Sequence, residues 1–301
     1  DIAGNPDGIC HWLLCADGVR IRVGHWPVAG AKGTVLMFPG RTEYIEKYTH
    51  IAADLNAAGY AVASLDWRGQ GLSARLMGDP YRGHVGAFGD YQKDVEVLLE
   101  TVASEGLPTP LAIIGHSMGG CIGLRSLMDG LPVKGAVFSA PMWGIVMAPA
   151  LRPVAWIVSR LAKLIGLGTT LAPGTNARSF VLNDPFEDNT LTRDADMWQL
   201  MGDQIRAVPD LELGGPSLDW VRLAVDECGA LMKAPAPDLP ALTFLGDNER
   251  IVEPQAIQTK MQNWTKGTLT IVEDGEHEGF MESSEKRAAM SEQMIAFLKT
   301  L

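Results

Sequence analysis

The stretch that most constrains this 301-residue chain is Gly115-His116-Ser117-Met118-Gly119, set between the apolar run Leu111-Ala112-Ile113-Ile114 and the small-residue series Gly120-Cys121-Ile122-Gly123-Leu124. A short run that is apolar throughout reads as a strand buried on both faces, and the stretch after it has helical spacing with small residues on one side. Ser117 therefore falls in a strand-to-helix turn. Such a turn strains the backbone of its central residue and brings strand and helix close together, so the flanking positions must be small, as Gly115 and Gly119 are. It lifts the Ser117 hydroxyl clear of the sheet, and the first free N–H groups of the new helix face the same point. A Gly-x-Ser-x-Gly string also arises by chance in unrelated loops. What gives it meaning is its strand-and-helix setting, together with an acid and a histidine further along the chain.

The rest of the chain supplies a setting for such a turn. With 47% hydrophobic residues it can bury one large core, or one core with an inserted subdomain. Asp17-Gly18 between two apolar runs predicts an opening hairpin. Buried strands are expected at Thr34 to Phe38, Ala61 to Leu65, Leu111 to Ile114, Gly135 to Ser139, Ala241 to Leu245 and Thr268 to Val272. Helices are expected from about Glu43 to Ala58, Gly89 to Ser104 and Ser284 to Lys299. Strands alternating with helices mean an α/β fold with a mostly parallel central sheet covered on both faces. The alternation stops from Met142 to about Pro237, a stretch rich in Trp, Met and Pro with no convincing strand. The expected division is a core of residues 1–141 and 238–301 with a helical cap insertion at 142–237.

Charge and cysteine content narrow the function classes. A formal net charge of −11 without any Lys/Arg-rich run argues against a nucleic-acid partner, which needs a basic footprint. Cys10, Cys15, Cys121 and Cys228 show no Cys-x-x-Cys spacing, and nothing suggests a metal or organic cofactor; a reducing, cytoplasmic setting fits best. No apolar run reaches the ~20 residues of a membrane-spanning helix. The chain opens on Asp1 rather than Met, from which we expect that upstream residues were removed.

In a parallel sheet of this kind the chemistry sits at the carboxyl ends of the strands. The loop after Leu245 reads Gly246-Asp247-Asn248-Glu249-Arg250-Ile251-Val252 and offers two carboxylates; the loop after Val272 reads Asp274-Gly275-Glu276-His277-Glu278-Gly279-Phe280 and offers one histidine. A base that takes the Ser117 proton with one ring nitrogen needs a carboxylate on the other, so His277 is the best of the six histidines. His116 abuts the serine, but neighbouring side chains at such a turn diverge. His11, His25 and His50 fall on early elements read as surface.

Together these residues resemble the α/β-hydrolase superfamily, and within it the bacterial lysophospholipase L2 and monoacylglycerol lipase branch. The resemblance spans nearly the whole chain. Its marks are Phe38-Pro39-Gly40-Arg41-Thr42-Glu43-Tyr44, Asp66-Trp67-Arg68-Gly69-Gln70-Gly71-Leu72-Ser73, Gly83-His84-Val85, Ala140-Pro141-Met142-Trp143-Gly144-Ile145, and Gly214-Gly215-Pro216-Ser217 with Trp220-Val221-Arg222. It implies a nucleophile at Ser117, a base at His277 and oxyanion-hole N–H groups on Arg41 and Met118. The usual acid position, Asp after Gly-x-x, is held here by Glu249; Asp247 is the alternative, with a turn-capping role otherwise. Pro39 stands where a His commonly precedes the Gly of the oxyanion turn. The activity implied is ester hydrolysis on monoacyl lipids, with small soluble esters as the runner-up substrates and a non-catalytic binding protein as the alternative class.

A last feature concerns the surface. From Gly130 to Asn183 there is no Asp or Glu, and Leu151 to Leu167 reads as a helix with Arg152, Ser159, Arg160 and Lys163 on one stripe and a wide apolar face. The expected use is either plain cover for the site or peripheral contact with an anionic lipid surface.

Overall fold

The computed structural model describes residues 7–147, 160 and 165–301. Eight strands form one sheet in the order β1-β2-β4-β3-β5-β6-β7-β8. The opening hairpin consists of β1 (Ile9–Leu14) and β2 (Arg20–Trp26), and Gly18 at φ 80° closes its turn, a conformation that glycine adopts without strain. From β3 (Thr34–Phe38) and β4 (Ala61–Asp66) through β5 (Pro110–His116), β6 (Gly135–Ser139), β7 (Ala241–Gly246) and β8 (Gly267–Val272) the pairing is parallel throughout.

The two faces separate by the alternation of side chains along each strand. Leu36, Phe38, Ile113, Phe138 and Leu245 point into one core cluster, whereas Val35, Met37, Ile114, Val137 and Phe244 point into the other. Helices α1 (Thr49–Ala57), α2 (Tyr91–Ser104) and α3 (Met118–Met128) follow β3, β4 and β5 in turn. Helices α2 and α3 cover the first face; α1 covers the second. The helix expected from Glu43 starts instead with a short tight turn at Ile45–Tyr48 before α1. The reason is local. Thr42 takes φ 66°, and the Glu43 carboxylate is drawn back onto the Gly40 N–H rather than serving the helix.

Between β6 and β7 the described residues form α4 (Phe180–Asn183), α5 (Ala195–Ala207) and α6 (Leu218–Lys233). Asp194 caps α5 through the Met197 N–H at 2.9 Å, and Ser217 caps α6 through the Trp220 N–H at 3.1 Å. Among the described residues of this stretch, strand pairing is limited to isolated bridges, Ile145 with Val252, Leu171 with Ser217, and Pro216 with Gly83. Helix α6 packs back onto the core through Trp220, Ala224, Cys228 and Leu231. Of the basic stripe, Arg152, Ser159 and Lys163 lie outside the described residues, while Arg160 donates to Asp226 at 2.9 Å. Helices α7 (Pro254–Gln262) and α8 (Ser284–Leu298) complete the two layers. All four cysteines are free, and Cys121 is fully buried among apolar neighbours. His25, read from sequence as a surface residue, is buried where β2 lies between β1 and β4.

Candidate active site

The expected strand-to-helix turn is present between β5 and α3. Ser117 sits at φ 48°, ψ −117°, a left-handed conformation costly for a residue with a side chain. Close packing holds it there. A Cβ at Gly119 would fall 2.0 Å from the Phe38 carbonyl oxygen, and one at Gly115 would fall 2.9 Å from the Gly119 carbonyl oxygen, so only glycine permits this approach.

Three elements distant in sequence meet at the serine. His277, in the loop after β8, lies with Nε2 2.9 Å from Ser117 Oγ and with Nδ1 2.8 Å from Glu249 Oε2. A carboxylate only accepts, so Nδ1 carries the proton and Nε2 is free to accept from the serine hydroxyl. The second Glu249 oxygen, Oε1, accepts from the Ile251 N–H at 2.7 Å and the Val252 N–H at 3.0 Å. Burial pushes the Glu249 carboxyl pKa up. His277 and the two backbone N–H groups pull it down further, so the net position is below the ordinary carboxylate value. Of the two carboxylates in this loop, Glu249 is the one that meets His277; Asp247 is exposed on the turn. The His277 loop is in turn bonded to the insertion between β6 and β7, with the His277 N–H on Thr190 O at 3.3 Å and the Glu278 N–H on Leu191 O at 2.8 Å.

The turn from Pro39 to Arg41 packs against Gly119 beside the serine, and Arg41 lines the same cavity as Ser117. Trp67 Nε1 donates to Pro39 O at 2.8 Å, and Gln70 Nε2 donates to Gly40 O at 2.7 Å. In a trans peptide the C=O and N–H point opposite ways. Fixing Gly40 O on Gln70 therefore turns the Arg41 N–H away from Gln70. The Ser117 carbonyl is likewise engaged by the Met142 N–H at 2.8 Å and the Gly120 N–H at 2.9 Å, which turns the Met118 N–H the other way at the start of α3. These are the two N–H groups that the resemblance singled out. Trp67 and Gln70 belong to the Asp66–Ser73 string that marks the resemblance, and neither has a role of its own in the sequence reading.

Beneath this turn lies a buried charged cluster that sequence reading missed altogether. Glu43 bonds the Gly40 N–H, Lys47 Nζ and Tyr48 OH, and Lys47 Nζ also reaches Glu278 Oε1 at 2.7 Å. His116 Nε2 lies 3.2 Å from Glu278 Oε2, while its Nδ1 donates to Ser139 O at 3.0 Å. The His116 side chain thus diverges from the serine as expected, yet its ring packs 4.9 Å from that of His277. Burial lowers the His116 pKa, but Glu278 and Glu43 raise it more, giving a net upward shift. Burial raises the Glu278 pKa, and Lys47 and His116 override it, holding the carboxyl well below its ordinary value. Among the described residues, Glu43, His116 and Glu278 are close enough together to ligate a metal ion, as are His11 and His25 of the opening strands with Glu105 at the end of α2. In the first group the Lys47 ammonium already contacts both carboxylates.

Ser117 opens into a cavity of about 300 Å³ whose walls are mostly apolar, including Phe180, Val181, Leu191, Met201, Ile205 and Val221. A neighbouring cavity of about 450 Å³, between Trp143, Met232 and Ala256, shares Ile145 and Val221 with it but does not contain the serine.

Comparison with known proteins agrees with this architecture. The chain is 30% identical to lysophospholipase L2 of Escherichia coli (strain K12) over 240 residues, covering 79% of this chain and 69% of that protein. It is 26% identical to a probable lysophospholipase L2 of Haemophilus influenzae over 274 residues, covering 90% and 85%. Among solved structures, a soluble variant of the monoglyceride lipase of Saccharomyces cerevisiae superposes with a TM-score of 0.75 at 21% identity over 99% of both chains, a likeness of fold. The profile described as serine aminopeptidase, S33, matches residues 29–284, which together with the parallel sheet and the serine turn at its centre makes the chain a member of that family of α/β hydrolases.

Proposed function

We propose that the protein is a serine hydrolase that cleaves the carboxylic ester of monoacyl lipids, lysophospholipid or monoacylglycerol, through an acyl-enzyme on Ser117. The observation that carries this reading is the hydrogen-bonded series Glu249, His277, Ser117 opening into an apolar cavity. His277 Nε2 takes the hydroxyl proton as Ser117 Oγ attacks the ester carbonyl, and Glu249 stabilises the imidazolium that forms. The carbonyl electron pair moves onto oxygen, where the Arg41 and Met118 N–H groups receive it; each such donor is typically worth about 3 kcal/mol. Collapse expels the alcohol, protonated by His277. Water, activated by the same nitrogen, then releases the fatty acid. The apolar walls suit an acyl chain, and the names of the lysophospholipase relatives point the same way.

In this account residues 142–237 act as the cap over the site, since Phe180, Val181, Leu191 and Met201 all come from that stretch. The acid-free run from Gly130 to Asn183 supports peripheral contact with an anionic lipid surface. Among the described residues, no helix is long and apolar enough to cross a membrane.

Steady-state hydrolysis of monomeric esters of increasing acyl length tests the reading. Burying one methylene is worth up to ~0.8 kcal/mol, so kcat/KM should rise at least about tenfold between acetyl and dodecanoyl esters. A maximum at acetyl or butyryl, falling beyond, would instead mark an esterase for small soluble substrates.

A further inference from the structure

Six residues with readily charged side chains line the Ser117 cavity: Arg41, Glu43, Lys47, His116, His277 and Glu278. Five of them answer one another or Glu249. Lys47 bridges Glu43 and Glu278, His116 lies against Glu278, and His277 bonds Glu249. Arg41 is different. Its Nη2 donates to the Gly214 carbonyl and its guanidinium lies over the Trp220 ring at 5.2 Å, but Nε is buried without a partner, and among the described residues no carboxylate pairs with it. Burial pushes the Arg41 pKa down to about 10, which Tyr91 offsets only in part, so the group stays charged at neutral pH. A part-buried guanidinium whose Nε is shut from water and left without a partner is costly to keep unless something anionic arrives to meet the group.

A strut between the oxyanion turn and the segment before α6 would use the Gly214 bond and the Trp220 ring, and would still leave Nε without a partner. The neighbouring backbone also makes room for the planar head: a Cβ at Gly83 would lie 2.6 Å from Arg41 Nη2. We propose that the Arg41 guanidinium is the specificity determinant that reads the phosphate of a lysophospholipid headgroup, and so favours lysophospholipid over neutral monoacylglycerol. This rests on the monoacyl-lipid ester reading above. The residue is suitably placed for both ends of such a substrate. Its backbone N–H is one of the two assigned above to the oxyanion, it lines the same cavity as Ser117, and its Nη2 bonds Gly214 O in the stretch between β6 and β7. Arginine matches phosphate oxygens with paired, charge-assisted hydrogen bonds that a neutral glycerol hydroxyl does not form.

The test compares kcat/KM for 1-lauroyl-lysophosphatidylcholine and 1-lauroylglycerol, both below their critical micelle concentrations, in the wild type, Arg41→Gln and Gly83→Ala. The readout is the ratio of the two values, in which any effect on the shared ester chemistry cancels. Arg41→Gln should lower the ratio at least about tenfold. Gly83→Ala, which leaves the Arg41 backbone untouched and displaces its head group, should lower it in the same direction. A ratio within twofold of wild type in both variants overturns the proposal. So does an unchanged ratio accompanied by weaker inhibition by free laurate, which would assign the guanidinium to the product carboxylate. If the wild type hydrolyses neither lipid but does cleave acetyl esters, it is the underlying monoacyl-lipid reading that fails, and this proposal with it.

Discussion

Replacing Glu249 with glutamine changes one atom and should nearly silence the enzyme. Two backbone N–H groups, of Ile251 and Val252, point at Oε1. They require an acceptor there, so the glutamine oxygen takes that position and its NH2 group falls where Oε2 stood, 2.8 Å from His277 Nδ1. An NH2 group donates, which forces Nδ1 to become an acceptor and moves the ring proton to Nε2. His277 then presents N–H rather than a lone pair to Ser117 and cannot take its proton. The corresponding loss in serine hydrolases is about four orders of magnitude in turnover, or roughly 5.4 kcal/mol. Asp247, exposed on the turn, has no such role, and Asp247→Asn should stay within about twofold of wild type. The assay is kcat for a p-nitrophenyl ester, with circular dichroism confirming that both variants fold. A glutamine variant retaining more than ~1% of turnover, or an Asp247→Asn variant more damaged than Glu249→Gln, would refute this reasoning.

Gly119→Ala should drive a methyl group into the Phe38 and Pro39 carbonyl oxygens, which lie 2.0 and 2.5 Å from the Cβ position. Overpacking of this kind costs about 1–3 kcal/mol, so calorimetry should show Tm lowered by several degrees, with kcat reduced because the oxyanion turn must shift. Acid should affect Glu249 in a definite direction. Its pKa is depressed in the fold, so the stability it contributes is present above the unfolded carboxylate pKa of ~4.3 and lost as pH falls through the lower folded value. Urea unfolding should therefore show the gap between wild type and Glu249→Gln narrowing below about pH 4.3; a constant or widening gap contradicts the assignment.

Elements with a strong local period were legible in the sequence. The fully buried β3 and β6 fall at the expected residues, and the glycines around Ser117 announce the turn because only small residues fit there. The order serine, acid, histidine pointed to two loops that the fold brings to Ser117, since strand ends are where a parallel sheet presents side chains. The preference for Glu249 over Asp247 comes from the resemblance alone, because no local pattern tells which carboxylate faces a loop 28 residues away; in the fold Glu249 is the one that meets His277. The cluster of Glu43, Lys47, His116 and Glu278 shows one local sign, the i,i+4 spacing of Glu43 and Lys47, and nothing that ties that pair to His116 or Glu278. Its members are drawn from α1's approach, β5 and the loop after β8, and pairing over such separations follows from topology rather than spacing. His25 was misread for a related reason: an opening hairpin reads as peripheral, but β2 lies between β1 and β4 and buries the residue.

The most direct test of the central claim is covalent labelling with a fluorophosphonate, followed by intact mass and peptide mapping. The account predicts a single phosphonyl adduct on the peptide carrying Ser117, absent in Ser117→Ala and formed far more slowly in His277→Ala, because the probe requires a serine oxygen activated by a base and a preformed oxyanion site. No adduct on the folded wild type, or undiminished labelling of Ser117→Ala at another residue, would contradict it.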